Sequence, residues 1–366
     1  MSFIMQMRPL FGEEEKKAIV DYMNEDGFLT EFKKTEQFEN MIADYTGAKH
    51  CVVVNNGTIS LTLSALAAGV VHGDEVIVPN YTMIATPNSV KMFGANPVFV
   101  DVEPDTLCLD ISLVRQAISS KTKAIMLVAA NGRYPKAGVE AFELLAKEHG
   151  LVLLEDAAQG LGSFYPDGRH IGRAGLIGSF SFSAPKIIST GQGGALITDC
   201  DITASKLRRL KDFGRSGGGT DIHDSIGYNF KFTEMQACIG IEQMKKLSER
   251  VVRKKEIYET YQQLLADVAD INLFKNNNET TAPWFIDCLA KDRDELLAFL
   301  KEQGIGSRVM YPPLNCQQAY SVEGQHPVSN LVGQRGLWLP SAVQLSDEEI
   351  GRICSVIREF YQQHDS

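Results

Sequence analysis

Apolar residues recur along the chain with two different periods. Helical spacing, with apolar positions three and four apart, runs over 13–23 and 36–45, the second stretch stopping at Gly47. The period then changes. Residues 51–54 form a short β-branched run that breaks at Asn55-Asn56-Gly57, and 58–68 reads as a helix. Further apolar runs lie at 75–78, 97–100, 124–128, 151–154, 177–182 and 195–198, most of them separated by helical segments. Strands that are continuously apolar are covered on both faces, and strands that alternate with helices build a mainly parallel sheet. The pattern predicts an α/β fold whose ligands bind beyond the carboxyl ends of the strands.

Residues 234–264 read as one long helical region leading out of this unit. An apolar run at 284–289, a helix over 293–303, a Gly304-Ile305-Gly306 turn and a last helix over 347–361 follow. They predict a large domain over 1–240 and a smaller C-terminal α/β domain over 241–366.

Composition narrows the function. The 366 residues are 44% hydrophobic, enough for a large core without disulfide staples. The net charge of −10 comes without any Lys/Arg-rich block, which argues against nucleic acid as partner, since phosphate neutralisation needs a basic face. No stretch approaches the roughly 20 apolar residues that span a bilayer, and the N-terminus has no secretory h-region, so a cytoplasmic protein is expected. Seven cysteines, never in C-x-x-C spacing, and seven scattered histidines predict no metal site.

Three features carry chemistry. Lys186 follows an apolar run and Pro185 among small and apolar residues; desolvation there lowers an amine's pKa and yields the neutral nucleophile that Schiff-base chemistry requires. Asp156 ends the apolar run LVLLED, where a buried carboxylate beneath a pyridine ring would keep the ring nitrogen protonated; the alternative is a helix N-cap for the residues after it. Gly57 and Thr58 open a helix directly after a strand, a place where free N–H groups bind phosphate, although plain turns use the same residue types. Ser181 offers a second hydroxyl. Phosphate-loop, dinucleotide-binding and nucleophile-elbow motifs are all incomplete or missing. A phosphate anchor, a ring-nitrogen carboxylate and a lysine, in that chain order, are the three groups that a pyridoxal phosphate enzyme needs.

The motifs VNNGTISL, GDEVIVPNYTMIATPNSV, PVFVDVEPDT, LLEDAAQGLGSFY, GSFSFSAPKIISTGQGGALIT, IGYNFKFTEMQACIG, GIGSRVMYPPL and RGLWLPSA extend the reading. Together they make the chain resemble the DegT/DnrJ/StrS-type aminotransferases from about Arg8 to Tyr361. The resemblance implies an aspartate-aminotransferase-like fold, pyridoxal phosphate fold type I, with a seven-stranded sheet in the large domain. It implies that Lys186 binds the cofactor covalently, that Asp156 pairs with the pyridine nitrogen, and that Gln159 hydrogen-bonds the phenolic oxygen. Gly57, Thr58 and Ser181 match phosphate ligands, and Asn229 matches a phosphate contact supplied by the other subunit of an obligatory homodimer. Some relatives with His at the lysine position remove oxygen from the sugar; the lysine here implies transamination.

The sequence departs from the family pattern at five places. Met83 stands where an aromatic commonly covers the ring, Ala129 and Asn131 where His and Tyr are frequent, Gln192 for a usual Glu, and Asn315 for a usual His. Gln192 and Asn315 are expected near substrate, and Arg308 and Tyr311 near the donor carboxylate or nucleotide, with domain packing as their alternative. The resemblance also implies L-glutamate as amino donor and a nucleotide-linked 4-keto-6-deoxy sugar as acceptor. GDP is favoured over dTDP or UDP, and the product is a 4-amino sugar nucleotide, such as perosamine, for surface polysaccharide. A cofactor-binding regulator without turnover is one rival, a nicotinamide-dependent dehydrogenase, disfavoured by the missing glycine fingerprint, is another, and amination at C3 of a dTDP- or UDP-linked sugar is the alternative within the family.

Overall fold

All seven apolar runs enter one sheet in the computed structural model, which describes residues 3–217 and 221–364. The strands are β1 (His50–Val54), β2 (Glu75–Pro79), β3 (Asn96–Val100), β4 (Thr122–Val128), β5 (Val152–Asp156), β6 (Ile177–Ser181) and β7 (Gly194–Thr198). Their order is β1-β7-β6-β5-β4-β2-β3, with β7 antiparallel to both neighbours and every other pairing parallel. The strands start or end within about two residues of the runs read from the sequence.

Around the sheet lie α1 (Glu13–Asn24), α2 (Lys33–Thr46), α3 (Gly57–Ala67), α4 (Ala85–Lys91), α5 (Ile111–Ala117), α6 (Val139–His149), α7 (Asp201–Lys211) and α8 (Glu234–Lys245). They explain why the strands are continuously apolar. On β1, Cys51 and Val53 join one core with Phe38, Ile77, Ile125 and Phe142, whereas Val52 and Val54 join another with Leu63, Val78, Met126 and Leu154. Both faces are buried, so alternation would leave a polar residue in one core or the other.

The single helical region read over 234–264 is two helices. Thr233 and Gln236 form a capping box that starts α8, and α9 (Leu247–Leu264) follows after Lys246. The Lys246 amine bonds Glu14 and Glu15, tying the break to α1. Leu247 still belongs to the core under the sheet, whereas Ile257, Tyr258 and Tyr261 belong to a separate core. That second core packs β8 (Ile271–Leu273), β9 (Ile286–Ala290) and β11 (Gly336–Leu339) against α10 (Arg293–Glu302) and α12 (Asp347–His364), with α11 (Pro327–Arg335) leading into β11 and the exposed β10 (Arg308–Val309) at the sheet's edge. The strands form an antiparallel sheet in the order β10-β11-β9-β8. Ile4, from the other end of the chain, bridges Ile305 and joins this core. Among the described residues, no helix is long and apolar enough to cross a membrane, and no group of three or more His, Cys, Asp or Glu is placed to hold a metal ion.

Candidate active site

The carboxyl ends of β1, β5 and β6 deliver the chemistry to one edge of the sheet. After β1, Asn56 caps α3: its side chain accepts from the Ile59 N–H at 2.9 Å and its carbonyl from the Ser60 N–H at 3.0 Å. Among the described residues, the N–H groups of Gly57 and Thr58 have no partner. They are the orphan donors at the positive end of a helix dipole. Gly57 lies against Ser181 at the end of β6, so closely that a Cβ at Gly57 would come within 2.8 Å of Ser181 Cβ. Two unused N–H groups, a hydroxyl and a space that any larger residue would fill make a cradle fitted to phosphate.

Asp156 ends β5 and is 5% exposed. One carboxylate oxygen accepts from the Thr86 hydroxyl at 2.7 Å, the other from the Ala158 N–H at 3.2 Å. Burial raises its pKa, against these two donors and the charge of Lys186. The segment after Asp156 makes turns and no helix, so Asp156 is not a helix cap.

Lys186 sits in the loop between β6 and β7. Burial pushes its pKa down to about 8, with Asp156 opposing. At that value about one amine in ten is neutral at pH 7, against roughly one in three thousand for an ordinary lysine. Its amine lies 4.0 Å from the centroid of the Trp284 ring. Gln159, Ser181, Lys186 and Trp284 line one small cavity of about 10 Å³, room for about one water, together with Ala158, Leu161, Ile187 and Ala282.

Gln159 is oriented. Its side-chain oxygen accepts from the Asn131 N–H at 2.6 Å, which leaves its NH₂ group as a donor. Asn131, in the left-handed conformation at φ 55°, bonds the Phe285 N–H and carbonyl and the Asp287 carboxylate through its side chain. Next to it, Arg133 and Asp287 form a buried ion pair at 2.6 Å. The turn that holds Gln159 is therefore pinned to β9 of the second sheet.

The remaining expected residues sit differently. Met83 is 46% exposed, and its carbonyl accepts from the Thr86 N–H. Gln192 is exposed, and its carbonyl rather than its amide is engaged, by Thr190 and Gln236. Arg308 lies over the Trp338 ring at 5.5 Å, and Tyr311 meets the same ring edge-on at 4.7 Å. Burial raises the pKa of Tyr311, and the Asp156 charge raises it further while that of Arg308 lowers it. Asn315 is buried in a reciprocal amide pair: it accepts from the Asn80 side chain and donates its N–H back to it, both at 2.9 Å, while its NH₂ reaches the Val322 carbonyl. Its polar groups are thus spent on fastening the 314–322 loop to the end of β2. Asn229 is exposed, next to Phe230, whose carbonyl accepts from the Asn55 N–H. Thr86 and Trp284 were not singled out in the sequence. Thr86 lies inside a quoted motif, and Trp284 begins an apolar run, but no local signal marks either partner.

Comparison with known proteins addresses the family and the fold. Residues 9–358 match the DegT/DnrJ/EryC1/StrS aminotransferase family. GDP-perosamine synthase of Escherichia coli O157:H7 is 33% identical over 365 residues, 99% of each chain. A pleiotropic regulatory protein of Geobacillus stearothermophilus is 36% identical over 89% of each chain. Among solved structures, S. venezuelae DesV in complex with a ketimine intermediate superposes with a TM-score of 0.90 at 30% identity, covering 97% of this chain and 98% of that one.

Proposed function

The chain belongs to the DegT/DnrJ/EryC1/StrS aminotransferase family, whose members use pyridoxal phosphate, and from that premise we propose that it aminates C4 of a nucleotide-linked 4-keto-6-deoxy sugar, GDP-linked in preference to dTDP- or UDP-linked, with L-glutamate as donor. The observation that carries the substrate class is full-length similarity to GDP-perosamine synthases from three organisms, at 31–33% identity. The lysine, aspartate and glutamine gathered at one sheet edge support the reaction type.

When bound, pyridoxal phosphate supplies an electron sink for the negative charge that develops at the amino-bearing carbon. The chain's residues do the rest. Gly57 and Thr58 N–H groups and the Ser181 hydroxyl hold the phosphate. Asp156 holds a proton on the ring nitrogen, and the Gln159 NH₂ donates to the phenolic oxygen. Lys186 would be the covalent anchor; once freed, its amine would carry a proton from Cα of the donor to the cofactor in the first half-reaction and from the cofactor to the sugar carbon in the second.

Asn229 is assigned to the phosphate of a second subunit. Phe28 and Phe32 are exposed with their rings 5.2 Å apart, and Ile222, Ile226 and Tyr228 are exposed in the stretch leading to Asn229; apolar surface of this kind beside a residue assigned to another subunit's site supports a homodimer. A second reading, a cofactor-binding regulator without turnover, draws on the similarity to the pleiotropic regulatory protein. One experiment separates the two. Incubation with L-glutamate and a panel of GDP-, dTDP- and UDP-linked keto sugars, followed by mass spectrometry, gives conversion of carbonyl to amine on the GDP substrate. Amination of the dTDP or UDP sugars alone refutes the GDP assignment. A visible cofactor band that L-glutamate leaves unchanged supports the regulator.

A further inference from the structure

Trp284 stands two residues before β9, and its indole makes two contacts with the loop that carries Lys186. Its N–H donates to the Pro185 carbonyl at 2.8 Å, and the Lys186 amine lies 4.0 Å from its ring centroid. The ring itself is fixed. It is 5% exposed, stacks on Phe285 at 3.9 Å with 20° between planes, and meets Trp338 edge-on at 5.8 Å. An ammonium within about 6 Å of an indole face is attracted by the ring quadrupole, most strongly where water is excluded.

We propose that Trp284 is a positioning residue for Lys186: its ring face holds the amine and favours the protonated form, while its N–H fixes the backbone one residue upstream. The inference rests on the reading of Lys186 as the lysine that anchors the cofactor and moves the protons. Such a lysine acts as base in one half-reaction and as acid in the other, so its pKa has to lie near working pH. Burial alone drives the amine toward the neutral form. The groups set against or alongside that drive are few. Asp156 on β5 attracts the ammonium; Arg8 and, on α9, Arg250 and Lys254 line a second cavity with Lys186, and burial pushes the pKa of Lys254 down to about 7, so its amine is largely neutral near pH 8; Tyr311 is neutral at working pH. A second carboxylate would lock the amine in an ion pair. An indole face supports the charge without a bond that must break when the lysine moves.

The test reads Lys186 directly. The full-length apoprotein is labelled with acetic anhydride across a pH series, and the Lys186 peptide is quantified by mass spectrometry. The wild-type midpoint is expected near pH 8. Trp284→Leu removes face and N–H and is expected to lower the midpoint by about one unit, whereas Trp284→Phe, which keeps a face, restores at least half of that shift. Protein carrying 5-fluorotryptophan keeps the shape and the N–H with a weaker quadrupole, and its midpoint is expected to fall by a few tenths of a unit. This version decides the matter if Trp284→Leu does not fold. The chain's other tryptophan, Trp338, has Arg308 over its face. A midpoint unmoved in the fluorinated protein and in Trp284→Leu overturns the inference. Borohydride reduction of the holoenzyme that labels a lysine other than 186 would instead sink the reading it rests on.

Discussion

Thr86→Val removes one hydroxyl from the floor of the site and leaves the volume nearly unchanged. Thr86 is fully buried, its hydroxyl donates to Asp156 at 2.7 Å, and a second hydroxyl, that of Thr82, lies 3.0 Å behind it. A hydrogen bond to a charged group contributes about 1.5–3 kcal/mol, equivalent to roughly one to two pKa units. Burial already raises the pKa of Asp156, so loss of the donor moves it further up and weakens its hold on a protonated ring nitrogen. The expected result is a fall in kcat of about 10- to 100-fold with KM changed little, because the bond acts on developing charge rather than on substrate binding. The cofactor's absorbance should titrate at a shifted pH, and Thr86→Ser should recover most of the loss. Wild-type kcat and an unshifted titration in Thr86→Val would refute the relay from Thr82 through Thr86 to Asp156.

Two other perturbations follow from the same geometry. Gly57→Ala places a Cβ within 2.8 Å of Ser181 Cβ inside the phosphate cradle, and should weaken pyridoxal phosphate binding at least about 10-fold in a fluorescence titration of apoprotein, through lost phosphate hydrogen bonds; unchanged affinity would place the phosphate elsewhere. Glu155 is 1% exposed and burial pushes its pKa up to about 7, although the Tyr165 hydroxyl and the Ala174 N–H donate to it. Its folded pKa exceeds its unfolded value near 4.5, so its contribution to stability is complete below pH 4.5 and declines as pH rises to 7, by about 3 kcal/mol. Glu155→Gln should flatten that slope in urea denaturation, and a slope equal to wild type contradicts the assignment.

The sheet was legible because a strand buried on both faces leaves a continuous apolar signature in one stretch of chain. Strand ends were legible for the same reason, and they placed Asp156, Ser181 and the Gly57 turn at one edge. The break after α8 was not: Lys246 carries no helix-breaking character, and its partners Glu14 and Glu15 are more than 230 positions away. Side chains that act through distant partners were equally hidden. Asn315 reads as a departure near substrate, but its amide answers Asn80, 235 residues earlier. Asn131 reads as a lost tyrosine, yet it joins the Gln159 turn to β9 through Phe285 and Asp287. Such pairings exist only after folding, and a single sequence carries no local trace of them.

The most direct trial of the account is chemical. Holoenzyme reduced with borohydride, digested and mapped by mass spectrometry should carry the pyridoxyl group on Lys186 alone, and Lys186→Ala should fold, take up no label and lose turnover. A label on any other residue, or turnover by the alanine variant, would contradict it.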